Sequence, residues 1–420
     1  MLIRKTGMDK RAKWLVCLVL ACCLVGYSCL AQPQSADRFT ARAEATLKAG
    51  IISRATAHLT AKPVTITAFT CARSAGGKHD FYSEGDYWWP DPDHPDSPYV
   101  QRDGQTNPAN ITAHRLAMIR FSEITGNLAA AFLVTGNEKY VRAAIPHFRA
   151  WFTDTATLMN PSLNYAQAIQ GRYTGRGIGI IDGIQLMEAV RAVQVMARSP
   201  AMDPALVMAT RGWVSRFLQW LTTHRYGLAE MTAANNHGTC WVMQVGVYAV
   251  FTGNDSLQQF CRERFKSVLL PGQLAVNGSF PLELRRTKPY GYSIFNLDAM
   301  AAICQVLSTP DGNLWEYATP GGQTLRDAIS FLYPFLADKS KWPFAHDVMF
   351  WDQWPVAQPA LVFGARAYRR PDWLATWEKL DHYPDNPEVI RNLPIRNPLI
   401  WMTGSTGKDS AVGGMAAVQP

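Results

Sequence analysis

The sequence has 420 residues, of which 48% are hydrophobic, so the chain can bury a large core. This length fits two or three ordinary domains, or one large helical or barrel domain. The formal net charge is +8, and residues 1–31 carry half of it. The remaining +4 includes no dense run of Lys and Arg, which argues against nucleic acid as a partner but allows a basic cleft for an acidic polymer.

The first 31 residues have the organisation of a secretory signal peptide. Basic residues precede an apolar run, 14–25, and Ala31 supplies a small residue at a suitable cleavage point. The apolar run is too short to span a bilayer comfortably. We therefore expect a periplasmic or secreted protein. A lipid anchor stays open as an alternative, although no clean lipobox precedes any of the three nearby cysteines.

Beyond this segment the apolar residues recur mostly with helical spacing, and no strand-like alternation persists. The predicted helices are 41–58, 110–125, 138–153, 178–197, 204–222, 238–252, 256–269, 292–307 and 324–337. The sequence TGN occurs at 125–127 and 135–137 and predicts a turn at both places. Helical hairpins at this spacing predict an α-helical toroid or bundle. Small and polar residues from 402 to 420 predict a disordered tail.

Three segments interrupt the helices, and the first is rich in aromatic residues, Pro and Asp. This segment, residues 85–108, is called the aromatic loop below, and it contains Trp88 and Trp89. Loops of this length in compact domains are usually functional or disordered, and aromatic residues disfavour disorder. Sugars stack their C–H faces on aromatic rings, so these two tryptophans are predicted to bind carbohydrate. The alternative is that the rings belong to the core.

The second segment, residues 164–182, is rich in glycine. Gln167 and Arg176 precede the predicted helix 178–197, where backbone freedom favours a binding turn. We expect both side chains to point into the same cleft as the aromatic loop. The alternative for Arg176 is an ion pair with Asp182 at the start of the helix.

The stretch AANNHGTCW, residues 233–241, places polar residues between two apolar helical runs. Asn236 and His237 are therefore candidates for chemistry. Glu230 lies seven residues before His237, about two helical turns, so the two side chains can share a face.

The third segment, residues 277–297, holds two arginines and two tyrosines within eight positions. They are Arg285, Arg286, Tyr290 and Tyr292. A tyrosine beside an arginine can have its pKa lowered and act as a base. The segment therefore adds a candidate base and a positive charge to the Asn–His pair.

These residue types argue against several reaction classes. The set lacks the Ser or Cys of an acyl-transfer enzyme and an obvious pair of carboxylates for glycoside hydrolysis. One histidine without a second nearby is a weak metal site, and the cysteine spacings match no zinc pattern, so neither a metal nor another cofactor is expected. The set suits β-elimination on a uronate, in which a base removes the C5 proton, an acid protonates the C4 oxygen, and positive or hydrogen-bonding groups offset the developing charge.

The motifs together resemble a known family. NNHG before an apolar helix, PLELRRTKPYGYSIFNL about fifty residues later, YWWPDP…SPYVQRDGQTNP and YAQAIQGRYTGRGIGIID are similar to stretches of the alginate lyase domain family of bacterial polysaccharide lyases, over roughly residues 65–350. The resemblance implies an all-α fold, an (α/α) toroid of helical hairpins, here over residues 40–401, with a cleft across one end. It implies four catalytic residues, Asn236, His237, Arg286 and Tyr292.

The spacing of six residues from Arg286 to Tyr292 is similar to a branch that includes alginate and glucuronan lyases, and Glu230 also matches that branch. Arg285 is the alternative to Arg286 as the catalytic arginine. We expect Trp88, Trp89, Gln167, Arg176, Glu230, Tyr290 and Arg285 to contribute to substrate binding.

The expected function is a secreted lyase that cleaves a uronate polysaccharide by β-elimination, with alginate at mannuronate-type linkages as the substrate. A glucuronan lyase is the alternative on the same site. Two further alternatives are a non-catalytic glycan-binding protein and a glycoside hydrolase on a helical toroid. The oligomeric state stays open.

Overall fold

A computed structural model describes residues 37–94 and 96–403. The predicted signal peptide and the predicted tail from residue 404 onward lie outside these residues. The described chain is mostly helical, which confirms the predicted all-α fold. Met402 was assigned to the tail, but it ends the last helix and is buried, so the predicted start of the tail is wrong by at least one residue.

The helices, numbered here in chain order, are α1 Arg38–His58, α2 Ala113–Thr135, α3 Glu138–Phe152, α4 Leu186–Met196, α5 Pro204–Thr223, α6 Arg225–Met231, α7 Asn236–Thr252, α8 Asp255–Arg264, α9 Leu270–Gln273, α10 Pro281–Leu284, α11 Pro289–Leu307, α12 Leu325–Ala337, α13 Pro359–Ala367, α14 Pro371–Trp377, α15 Pro387–Arg391 and α16 Pro398–Met402. A 3₁₀ helix, Gly177–Gln185, leads into α4. A π-helical turn, Phe265–Leu269, follows α8.

The core lies between helices that are apolar on most of their faces. Helix α2 packs on α1, α3 and α4, and α7 packs on α11 and α5. Helices that are hydrophobic all round are buried in this way. Among the described helices, α2 alone is long and apolar enough to cross a membrane, and most of it is buried inside the domain.

The turn predicted at residues 125–127 is wrong, because these residues continue α2. The hydroxyl of Thr125 donates to the Phe121 carbonyl one turn earlier, so this side chain is satisfied within the helix. Gly126 faces Glu188 of α4, and a Cβ at this position would lie 2.9 Å from the Glu188 Cγ. The glycine therefore permits a close approach of two helices and does not end one.

Four short strands hold the interrupting segments together. Strand β1, Tyr82–Glu84, pairs in parallel with β4, Tyr165–Ala168. Strands β2, Trp88–Trp89, and β3, Val100–Gln101, form an antiparallel pair within the aromatic loop. The first pair places the aromatic loop beside the glycine-rich segment 164–182, so both reach the same end of the domain.

The four helices after residue 358 were not predicted from the sequence. Each starts with proline at its first position, where the missing N–H costs nothing. Two of them have five residues each, too short for an apolar period to be recognised.

Candidate active site

A cleft of about 340 Å³ opens where several helices begin. Asn236 and His237 are the first two residues of α7, and Tyr292 lies in the first turn of α11. Helix N-termini carry positive partial charge and exposed N–H groups, so they favour a negatively charged ligand. The arrangement therefore suits an anionic substrate.

The helix start at α7 fixes Asn236 in the cleft wall. Asn235 caps the helix, because its side-chain oxygen accepts a hydrogen bond from the His237 N–H at 3.3 Å. The backbone N–H and Nδ2 of Asn236 both donate to the Glu283 carboxylate at 2.8 Å. Burial raises the pKa of Glu283, and the bonds from Asn236 oppose this rise. Glu283 therefore holds the amide of Asn236 from behind.

Glu230 holds His237 in a similar way. The Nδ1 atom of His237 lies 2.6 Å from Oε1 of Glu230, which is buried. His237 lines the cleft, whereas Glu230 does not. The placement of Glu230 among the substrate-binding residues is therefore corrected, because its carboxylate lies behind the imidazole and orients it. The carboxylate favours the tautomer in which Nδ1 carries the proton. This leaves Nε2 available to interact with a substrate in the cleft.

Tyr292 is surrounded by one phenol and two cations. Its hydroxyl donates to the Tyr87 hydroxyl at 2.7 Å. The guanidinium carbon of Arg286 lies 4.4 Å from the centroid of its ring, and the Lys288 ammonium lies 5.3 Å from it. Burial raises the pKa of Tyr292 well above its usual value, Tyr87 raises it further, and Arg286 opposes both. The expectation of a lowered pKa is therefore wrong for the unliganded protein, because burial outweighs the arginine.

The aromatic loop also contacts the arginine. Asp103 accepts hydrogen bonds from Nε and Nη2 of Arg286 at 3.2 and 2.9 Å. Its Oδ2 also accepts from the Thr287 hydroxyl at 3.0 Å. Although burial opposes it, Arg286 holds the pKa of Asp103 below its usual value. Arg286 is thus paired to a carboxylate from a distant part of the chain.

Trp88 and the glycine-rich segment form another part of the cleft wall. The guanidinium carbons of Arg172 and Arg176 lie 5.5 and 5.7 Å from the centroid of the Trp88 ring. Gln167 has a φ of 47°, and its carbonyl accepts from Nε of Arg176 at 2.9 Å. Left-handed backbone outside glycine is strained and often occurs at binding sites. Both Gln167 and Arg176 line the cleft.

The predicted alternative for Arg176, an ion pair with Asp182, does not form. Oδ2 of Asp182 accepts instead from the Ser83 hydroxyl at 2.5 Å and from Nη2 of Arg115 at 3.4 Å. Arg176 remains within the electrostatic reach of Asp182 without contacting it.

Charged side chains form the floor of the cleft, which Asp86, Arg115 and Arg391 line, and their network continues beyond it to Glu388 and Lys288. Asp86 pairs with Arg115 at 2.7 Å and with Arg391. Glu388 pairs with Arg391 at 2.9 Å and with Lys288 at 2.7 Å. Although burial opposes it, the two arginines hold the pKa of Asp86 below its usual value. This network joins the aromatic loop, α2, α11 and α15.

Three other predicted binding residues lie away from the cleft. Tyr290 is fully buried, and its hydroxyl donates to the Phe335 carbonyl at 2.9 Å. Arg285 is exposed, and its Nε donates to the Pro281 carbonyl at 3.1 Å. The indole N–H of Trp89 donates to the Gln105 carbonyl at 2.9 Å. None of the three lines the cleft, so the structure does not support their predicted contact with substrate.

The polar residues of the cleft that sequence reasoning missed include Asp86, Tyr87, Asp103, Arg115 and Arg391. Three of them, Asp86, Tyr87 and Asp103, lie in the aromatic loop, and the unusual composition of that loop is the feature of the sequence that could have pointed to them. No cluster of His, Cys, Asp or Glu suited to a metal ion occurs in the described part of the chain. The four cysteines in that part are free thiols, and Cys240 and Cys304 are buried.

Comparisons with known proteins identify the family that the sequence motifs resemble. The sequence model of the alginate lyase family matches residues 65–342. The crystal structure of an alginate lyase from Bacteroides ovatus superposes with a TM-score of 0.73 and 29% identity, over 87% of this chain and 97% of that one. Alginate lyase A1-III from Sphingomonas species A1 superposes with a TM-score of 0.50 and 15% identity, over 78% and 89% of the two chains. A search of curated proteins by sequence found no match.

The helical toroid, with a basic and aromatic cleft at the helix starts, defines a polysaccharide lyase. The chain belongs to the alginate lyase family, since the family's sequence model covers well over half of it.

Proposed function

We propose that this protein cleaves alginate at mannuronate-type linkages by β-elimination. The observation that carries the proposal is the position of the Tyr292 hydroxyl, in the cleft that Asn236, His237 and Arg286 also line. Structures similar to this one are named alginate lyases. One of them, a variant of A1-III in complex with a tetrasaccharide, superposes on this chain with a TM-score of 0.52. An acidic polysaccharide also suits the positive helix ends around the cleft.

The first role is to support negative charge at the substrate carboxylate. Removal of the C5 proton spreads charge from C5 onto this carboxylate, so donors fixed beforehand lower the barrier. Asn236 gives one Nδ2–H to Glu283 and keeps the other for the substrate carboxylate, so its amide does not have to reorganise. Asn236 lines the cleft where such a carboxylate would bind, next to His237, which Glu230 holds in place.

The second role is proton transfer by Tyr292. The C5–H bond breaks and its proton passes to the phenolate oxygen, the C4=C5 double bond forms, and the C4–O bond breaks with its electron pair on the leaving oxygen. The same phenol then returns a proton to that oxygen. In mannuronate, the C5 hydrogen and the C4 oxygen leave from one face of the ring, so one group reaches both. Burial raises the pKa of Tyr292 and so opposes the phenolate that the first step needs, whereas Arg286 and Lys288 over the ring favour it.

Guluronate needs a second group, because its C5 hydrogen and C4 oxygen leave from opposite faces. His237 is the candidate, since Glu230 engages Nδ1 and leaves Nε2 for the cleft. We expect His237→Gln to retain part of the activity on polymannuronate and to lose all activity on polyguluronate. Equal losses on both polymers would contradict this division of roles.

The test of the proposal is a rate measurement on polymannuronate, polyguluronate and glucuronan, which follows the ultraviolet absorbance of the unsaturated product. Tyr292→Phe should lower kcat on every substrate by about 10³-fold or more, because the hydroxyl acts as both base and acid. Tyr290→Phe is the matched control, because Tyr290 lies on the same helix outside the cleft. It should keep wild-type kcat and lose about 1 kcal/mol of stability.

Three outcomes decide between the proposals. Activity on glucuronan alone would replace alginate as the substrate, since mannuronate and glucuronate differ only at C2 and both eliminate from one face. Binding without any unsaturated product would identify a non-catalytic glycan-binding protein. Near-normal kcat in Tyr292→Phe would remove Tyr292 from proton transfer.

We also infer that the protein acts outside the cytoplasm. Support comes from the basic and apolar organisation of residues 1–31. Fractionation of cells that express the full chain should find the protein in the periplasm or the medium, with its N-terminus near residue 32. An intact N-terminus in the cytoplasm would contradict export.

A further inference from the structure

The pairing of Asp103 with Arg286 joins the aromatic loop to the chemistry of the site. The two residues are 183 positions apart in sequence, and their carboxylate and guanidinium meet through two hydrogen bonds. Their side chains are 29% and 28% exposed, and both line the cleft. The pair therefore lies at the cleft surface beside the reacting groups.

The geometry of the pair determines where the arginine points. A guanidinium bound through two of its nitrogens is fixed in orientation as well as position, because the fork is planar and rigid. The Thr287 hydroxyl anchors the same carboxylate at 3.0 Å. Held in this way, the guanidinium carbon of Arg286 lies 4.4 Å from the centroid of the Tyr292 ring.

We propose that Asp103 is a positioning residue for proton transfer, which aligns Arg286 over Tyr292 and offsets part of the positive charge that Tyr292 experiences. The proposal rests on the proposed function, because it requires Tyr292 to be the base. It gives the aromatic loop a role in the chemical step that is separate from sugar stacking by Trp88.

The charges around Tyr292 fix the sign of the effect. Ten titratable or charged groups lie over its ring or line the same cleft, namely Tyr87, Asp86, Asp103, Arg115, Arg176, Asp182, His237, Arg286, Lys288 and Arg391. Among the charged ones, Asp103 is the carboxylate that acts directly against Arg286, and it raises the pKa of Tyr292. Removal of its charge should strengthen the pull of Arg286 on the phenolate. The acidic limb of the kcat profile should then move to lower pH.

The experiment compares Asp103→Asn with Asp93→Asn. Asp93 lies in the same loop and is exposed outside the cleft, so the change in formal charge is matched. Asp103→Asn is nearly isosteric and should shift the acidic limb of kcat to lower pH, whereas Asp93→Asn should follow the wild-type curve. Asp103→Ala, which also frees the guanidinium, should lower kcat by roughly 10- to 100-fold because Arg286 loses its alignment.

If Asp103 only anchors the aromatic loop to the helical toroid, the expected result differs. Such an anchor predicts a higher KM and a lower melting temperature, with the pH profile of kcat unchanged. An Asp103→Asn profile that superimposes on an active wild type would therefore overturn the inference. An inactive wild type would instead overturn the proposed function, so the two failures are distinguishable.

Discussion

Glu230→Gln measures how much catalysis depends on the orientation of His237. The substitution keeps the size of the side chain and replaces a carboxylate acceptor by an amide, at a bond of 2.6 Å. Hydrogen bonds to charged groups contribute about 1.5–3 kcal/mol and neutral ones about 0.5–1.5 kcal/mol, so the change should remove roughly 1–1.5 kcal/mol. If this energy is used in the transition state, kcat falls about tenfold.

The assay is the initial rate of unsaturated product on polymannuronate and polyguluronate, with the melting temperature as a check on folding. Glu316→Gln is the control, since Glu316 is exposed and outside the cleft. A wild-type kcat in Glu230→Gln would refute the idea that Glu230 supports His237. A loss beyond about 10³-fold would also refute it, because a loss that large points to direct proton transfer by Glu230.

Three further predictions follow from contacts around the cleft and in the core. Tyr87→Phe removes the hydroxyl that accepts from Tyr292 and raises its pKa, so the acidic limb of the kcat profile should move to lower pH with little change in KM. Trp88→Ala should raise KM strongly, whereas Trp89→Ala, outside the cleft, should leave KM unchanged; equal effects would show that the loop acts only through its fold. Burial raises the pKa of Asp298 well above its usual value, so its contribution to stability is full below the unfolded pKa and is lost as pH rises. The melting temperature of Asp298→Asn should therefore fall less than that of the wild type as the pH rises from about 5 to about 8. Equal falls in the two proteins would contradict this.

The helices and the Asn–His pair could be predicted because their signals are local. Asn235 is a good N-cap residue directly before an apolar run, and this places Asn236 and His237 at the helix start. Helical geometry also separates Tyr290 from Tyr292, because residues two apart on a helix point in different directions. The sequence alone could therefore have assigned only one of them to the cleft, although not which one.

The partners of these residues could not be predicted, because their contacts join distant parts of the chain. Asp103 meets Arg286 across 183 positions and Asp86 meets Arg391 across 305. The aromatic loop has no period that would fix which of its side chains face inward. The pKa of Tyr292 depends on its burial, which the neighbouring arginine in the sequence does not reveal.

The ion pairs of α15 bear on the smallest portion of the chain that can work. The family's sequence model ends at residue 342, yet Glu388 and Arg391 complete the charged network of the cleft floor well beyond it. A shortened chain that stops at 342 would leave the buried Lys288 ammonium without its carboxylate, and removal of one partner of a buried pair costs about 3–5 kcal/mol. Lys288 stands four positions before Tyr292 and its ammonium lies 5.3 Å from the centroid of that ring, so such a fragment would lose support beside the Tyr292 phenol. The last sixty residues of the toroid are therefore part of the enzyme's working core, and engineered versions need to retain them through residue 403.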